Sequence, residues 1–144
     1  MLKEDYIVGL VDGEGSFTVY VCDPKRLKER NRRRRVRVEP KFYVKIVEND
    51  KKILYDLKKF FGCGNVYFQR DVRVNHENCY RYEVSNRGDL TKIIIPFFKK
   101  HFLLFPSRIK DFKVFCQIID AVKRNEHLSK RGLAKLYKLK QKMH

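Results

Sequence analysis

Hydrophobic positions along the chain follow two periods. Tyr6, Ile7, Val8, Leu10 and Val11 crowd residues 3–13 and predict a helix that is apolar on nearly every face. Such a helix is buried on all sides, which in a small chain implies its own core on one face and a second subunit on another. Gly9 sits mid-helix, where glycine costs about 1 kcal/mol relative to alanine. Close approach of another helix would offset that cost; an ordinary core helix with an incidental glycine is the plainer alternative. Residues 16–23 then alternate, with Phe17, Val19 and Val21 against Ser16, Thr18, Tyr20 and Cys22. Residues 36–47 alternate again, with Val36, Val38, Phe42, Val44 and Ile46 against Arg37, Glu39, Lys41, Tyr43 and Lys45. Pro40 interrupts this run and predicts a bulge or an edge position.

Residues 49–61 read as an amphipathic helix with Ile53, Leu54, Leu57, Phe60 and Phe61 as its buried stripe. Asn49 or Asp50 is the expected cap, and Gly62-Cys63-Gly64 the stop. A hairpin follows. Its strands are about 65–73, with Val66, Phe68 and Val72 on one face, and about 78–85, with Tyr80, Tyr82 and Val84 on one face. Asn75 to Asn78 supply the turn. Helices are expected at about 88–101, 106–124 and 129–142. No linker interrupts the order, so residues 1–144 form one α+β domain. Four strands with one apolar face predict an antiparallel sheet packed on helices. The opposite face is rich in Arg, Lys, Tyr, Thr and Gln.

Charge narrows the picture. The chain has 34 Lys and Arg against 17 Asp and Glu, a formal net charge of +17, with 43% hydrophobic residues. It can therefore build a core while attracting a polyanion through phosphate neutralisation. A membrane surface fits less well, because no basic helix with an aromatic face is present. No apolar run approaches the ~20 residues of a membrane span. The N-terminus lacks the regions of a signal peptide, so an intracellular location is expected. Cys22, Cys63, Cys79 and Cys116 are irregularly spaced, and with His76, His101, His127 and His144 they complete no zinc pattern. Free thiols follow, with no small-molecule cofactor.

The acidic exception is residues 7–15, Ile-Val-Gly-Leu-Val-Asp-Gly-Glu-Gly. Asp12 and Glu14 fall at the C-terminal end of the first helix, where the dipole is negative and acids are disfavoured. Carboxylates held beside backbone carbonyls suit a divalent cation with oxygen ligands. An acidic turn on a strongly basic protein suggests a metal-assisted reaction on a polyanion. The plainer alternative is a glycine turn without chemistry.

The nonapeptide 7–15 resembles the signature of the LAGLIDADG homing endonucleases. Pro40-Lys41-Phe42-Tyr43-Val44 running into Glu48-Asn49-Asp50 is similar to the same family. So are Phe60-Phe61-Gly62-Cys63-Gly64-Asn65-Val66 and Arg108-Ile109-Lys110-Asp111-Phe112. The likeness spans about residues 6–120. It implies an αββαββα fold with a saddle-shaped sheet lying on DNA. For a single-motif chain it implies a homodimer packed at the motif helices, with Tyr6, Gly9, Leu10 and Asp12 at the interface. By position, Glu14 matches the catalytic acid that ligands the metal, and the carbonyl of Gly13 a further ligand. The implied cofactor is Mg2+ or Mn2+, with Ca2+ a non-productive substitute. Asp12 matches the other motif acid, credited with capping and packing. Arg108 stands where relatives often carry a lysine near the scissile phosphate, with Lys110 a possible substitute. Arginine there can stabilise phosphate charge but is a poor general acid. Ile46 stands where many relatives have Gln.

A twisted β-ribbon fits the major groove of duplex DNA. The expected readers are Thr18, Tyr20, Cys22, Arg37, Glu39, Lys41, Tyr43 and Lys45, then Tyr67, Gln69, Asp71, Arg81 and Glu83. Some of these contact only phosphate or water. Arg32, Arg33, Arg34 and Arg35 lie between two strands, which favours a loop on the DNA backbone over a nuclear localisation patch. The basic 130–142 helix admits a solvated face equally well. The expected function is a metal-dependent, site-specific DNA endonuclease. An RNA maturase, or a DNA-binding protein without cleavage, are the rivals on the same fold. Retention of Glu14 favours the enzyme.

Overall fold

The computed structural model describes residues 1–27 and 36–143. Helix α1 (Glu4–Glu14) passes into strand β1 (Gly15–Val21) with no residue between them. That junction needs a glycine. A Cβ on Gly15 would lie 2.6 Å from Val11 Cγ1 and 2.8 Å from the Val11 carbonyl, and the Gly15 N–H donates to that carbonyl. Strand β2 (Val38–Val47) follows, then a 3-10 turn over Glu48–Asp50 and helix α2 (Lys52–Phe61). Gly62 ends α2 in the left-handed conformation. Strands β3 (Asn65–Gln69) and β4 (Cys79–Val84) form the hairpin.

Three helices complete the chain. Helix α3 runs through Arg87–Asp89, a π-turn at Leu90–Ile94, and Ile95–Lys100. The widened turn lies directly before Pro96, whose ring and missing N–H disrupt regular helical bonding. Helices α4 (Pro106–Lys123) and α5 (Lys130–Lys140) follow. The order is thus αββαββ followed by helices. None of the described helices is long and apolar enough to cross a membrane.

The sheet is antiparallel throughout, in the order β1-β2-β4-β3. Phe17 pairs with Phe42, and Phe42 with Val84, so one face presents a continuous apolar row. Beneath it Phe17 packs against Phe42 at 5.0 Å between ring centroids, Phe98 at 5.5 Å and Phe115 at 5.3 Å. One aromatic cluster therefore joins β1 and β2 to α3 and α4. Leu54, Leu57, Ile94, Ile118 and Leu133 are fully buried around it. Tyr82 is also buried, and its hydroxyl donates to the Cys63 carbonyl at 2.8 Å. Burial, then the neighbouring thiol, push its ionisation well above the ordinary tyrosine range.

Several expected details differ. Pro40 makes no bulge, since the β1–β2 register runs unbroken through its pairing with Val19. β4 pairs with β2 only from Phe42 onward. Pro40 therefore takes the edge position, the other of the two expected alternatives, where β2 has a strand partner on one side only and no second ladder needs the N–H that proline lacks. Neither Asn49 nor Asp50 caps α2; the preceding residues form the 3-10 turn and no side chain bonds the helix start. The hairpin strands are shorter than expected, so Val72 lies in the connecting loop and is exposed rather than on the apolar face.

Candidate active site and nucleic-acid interface

Helix α1 is one-sided within the chain. Ile7, Val8, Val11 and Asp12 are buried, while Tyr6, Gly9 and Gly13 are exposed and Leu10 is half-buried. A Cβ built on Gly9 meets nothing within 4 Å among the described residues, so none of them requires glycine there. Asp12 departs from the expected interface position. It points inward, and its carboxylate accepts the Leu104 N–H at 3.0 and 3.1 Å and the Phe105 N–H at 3.1 Å. It thereby fastens α1 to the segment that starts α4.

Two residues further on, Glu14 is exposed at the α1 terminus. It opens into a cleft of about 450 Å³ lined by Lys45, Ile46, Val47, Asp50 and Cys79. The cleft forms because β2 extends past the start of β1, bringing residues 45–50 beside the helix end. Asp50 was legible only as a helix cap; its place beside Glu14 arises from the 3-10 turn. Ile46 gives the cleft an apolar wall. Arg108 and Lys110 do not line it. Arg108 is half-buried on the first turn of α4, its buried Nε without a hydrogen-bond partner, whereas Lys110 is exposed. Two positions apart on a helix, they face different directions.

The polar face of the sheet carries most of the expected readers. Register sets Tyr43 beside Ser16 and Glu83, and Arg81 between Lys45 and Tyr67. Thr18 pairs with Lys41, Tyr20 with Glu39, and Gln69 with Cys79. The Arg81 guanidinium lies 3.5 Å from the Tyr43 ring centroid and 3.1 Å from Glu83 Oε1. Such stacking suits arginine, whose planar cation is held by the ring face. Arg37 sits 5.3 Å from the Tyr20 ring centroid and reaches Glu39 Oε1 at 2.9 Å. That carboxylate raises the Arg37 ionisation further. Each arginine is thus pre-oriented by an acid and a tyrosine of the same face, leaving Lys41 and Lys45 as cations without an ion-pair partner among the described residues there.

Two expected readers stand elsewhere. Cys22 turns inward past the end of β1; it is 7% exposed and its Sγ accepts the Arg37 N–H at 3.3 Å. Asp71 lies in the β3–β4 loop and organises it. It accepts from the Arg73 backbone at 3.0 Å and from the Arg73 guanidinium at 2.6 Å, and its own N–H donates to Asn78 Oδ1. The Arg73 guanidinium, then the Arg73 backbone N–H, hold its carboxyl well below the usual carboxylate range. Arg32, Arg33, Arg34 and Arg35 fall outside the described residues.

This arrangement matches a known family. The model of the LAGLIDADG endonuclease family matches residues 7–119. The chain belongs to that family. Among curated relatives, the "Probable intron-encoded endonuclease 3" of Neurospora crassa is 29% identical over 138 residues, covering 94% of this chain and 23% of the relative. The homing endonuclease I-ApeII of Aeropyrum pernix is 29% identical over 126 residues, covering 88% of this chain and 68% of its own. The chain thus spans about a quarter of the Neurospora protein and two thirds of the archaeal one. Among solved structures, the homing endonuclease I-TnaI is similar at a TM-score of 0.81 and 37% identity, over 99% of this chain and 88% of that one. I-SmaMI bound to cleaved DNA is similar at 0.82 and 30% identity, over all of this chain and 44% of that one. The αββαββ sheet-on-helix architecture is therefore the family's fold.

Proposed function

We propose that two copies of this chain form a divalent-metal-dependent endonuclease that cuts both strands of a long, near-palindromic DNA site. The observation that carries this is Glu14. It is an exposed carboxylate at the end of the matched motif helix, opening beside the polar strand face. The exposed Tyr6 and open Gly9 on α1 support the pair, as do the exposed Phe102, Leu104 and Phe105 on the segment that Asp12 ties to it.

The donor set fits a hard cation. Glu14 and Asp50 offer carboxylate oxygens in one cleft and Gly13 a carbonyl, all oxygen ligands of the kind Mg2+ or Mn2+ takes. No ion pair among the described residues satisfies Glu14 or Asp50. Among the described residues no three His, Cys, Asp or Glu are grouped so that they could hold a metal ion by themselves. One chain therefore offers an incomplete shell, which phosphate oxygens and the second copy would complete. When bound, such an ion would supply positive charge at the scissile phosphate and lower the pKa of an attacking water. Lys45 would steady the incoming phosphate from the cleft wall. Arg108 would add charge from the α4 side, and the pre-oriented Arg37 and Arg81 would read the groove. The test is cleavage of a randomised duplex library in Mg2+ and in EDTA. Metal-dependent enrichment of one long partial palindrome is expected; no cut duplex under any divalent ion would refute the reading.

A further inference from the structure

We propose that α5 carries a second phosphate-binding stripe that holds duplex DNA beyond the outer end of the strand face. Arg131, Lys135 and Lys138 on α5 and Lys142 in the turn after it are spaced four, three and four residues apart. At helical periodicity they fall on one line, and all four are exposed. Lys138 and Lys142 suit the negative C-terminal end of the helix dipole, but two features of the stripe are unfavourable to a helix left in water. Like charges at four-residue spacing repel. Arg131 follows Lys130 in the first turn, where the dipole disfavours cations and no acid is present.

Counter-charge is sparse as well, Lys135 alone of the four sharing a cleft with acids, Asp120 and Glu126. The sequence has no Asp or Glu after Glu126, and Glu126 is already ion-paired with Arg124. No ion pair among the described residues reaches α5. Helix α2 shows the ordinary solution: it too is lysine-rich, but Lys52 pairs with Asp56 at 3.2 Å. A solvated face would tolerate such acids; a phosphate-binding face excludes them.

The stripe is also rigidly placed. Ser129 caps α5 by accepting the Gly132 N–H at 2.9 Å, and Leu133 and Leu136 are buried beneath it. Its location points to the same duplex that the strand face would read. Asp23, Pro24, Lys25 and Leu27, where the chain leaves β1, share a cavity with Lys130, Ala134 and Tyr137 of α5. Strand β1 runs outward from Glu14 to that point, so α5 borders the outer end of the reading face. Exposed Lys25, Arg26 and Lys130 make the charge continuous from one to the other.

The inference rests on the nucleic-acid part of the proposed function and not on cleavage. It is tested with the quadruple variant R131Q/K135Q/K138Q/K142Q. Glutamine keeps helix propensity, and circular dichroism checks the fold. Affinity for a random-sequence duplex and for a structured RNA of equal length is measured across a salt series. Neutralising four phosphate contacts should flatten the slope of log affinity against log salt on the duplex by about 3 to 4. The α2 variant K58Q/K59Q controls for bulk charge. An unchanged slope, an equal loss per charge in the control, or a loss confined to RNA would overturn the proposal. A protein that never cuts DNA in Mg2+ yet loses this slope would refute the endonuclease and leave the stripe standing.

Discussion

The Asp12 carboxylate holds the backbone N–H of Leu104, ninety-two residues away in sequence, at 3.0 and 3.1 Å. With the Phe105 N–H it makes three short contacts from a side chain that is 3% exposed. Residue 12 is therefore the joint between the helix that ends in Glu14 and the helix that begins ahead of Arg108. Asp12→Ala should strand two backbone donors and destabilise the fold by about 1–3 kcal/mol for each. Urea unfolding measures this; Asp12→Asn should recover part of the loss, because its amide oxygen still accepts.

Gly9→Leu should disrupt the pair of copies without disturbing the single chain. A Cβ at residue 9 meets none of the described residues of one copy within 4 Å, so thermal stability of the monomer should stay within about 0.5 kcal/mol apart from the gain in helix propensity. Sedimentation at micromolar concentration should show a wild-type dimer and a Gly9→Leu monomer. A monomeric wild type, with DNA and without it, would contradict the paired reading.

The β3–β4 loop should be ordered across a wide acid range. The Arg73 side chain, then its backbone N–H, lower the Asp71 ionisation in the folded state. A lowered folded value means the contribution is present above the unfolded carboxylate range, near pH 4. It is lost only as pH falls through the lower folded value. Amide exchange at Arg73 should therefore stay protected well below pH 4 in the wild type. Asp71→Asn should lose the ion pair, giving faster exchange that no longer follows this titration.

Much of the architecture was legible because it is written in local periodicity. The alternation of Phe17, Val19 and Val21 against Thr18 and Tyr20 assigned both faces of β1 correctly, and the stripe of Leu54, Leu57 and Phe61 placed α2. What escaped was set by tertiary geometry. Cys22 continues the alternation of β1, but the strand ends at Val21 and the next side chain turns inward. Asp50 looks like a cap and instead reaches the Glu14 cleft, because the chain tightens into a 3-10 turn first. Asp71 fell within a strand by pattern, yet its own pairing with Arg73 closes the loop. The ion pairs that pre-orient Arg37 and Arg81 were likewise invisible, since they depend on rotamer and register rather than on spacing.

Stacking should make Tyr43 a determinant of specificity although it is uncharged. Its ring holds the Arg81 guanidinium at 3.5 Å. Tyr43→Ala should free that arginine and relax base preference at one position of each half-site, a loss of about 1–3 kcal/mol in discrimination. Tyr43→Phe keeps the ring and should keep the preference. Binding selection on a randomised site reads both outcomes.

The central claim rests on the carboxylate of Glu14, and the most direct measurement compares binding with single-turnover cleavage for Glu14→Gln. The substitution keeps shape and removes the charge at the mouth of the cleft. Loss of one group that stabilises transition-state charge lowers rate by about 10²–10³, and loss of an ion lowers it further. Glu14→Gln should bind the selected duplex as tightly as the wild type, or more tightly because an anion near phosphate is gone. It should give no cleavage above background in Mg2+. A Glu14→Gln protein that cuts that duplex at the wild-type rate would contradict the claim.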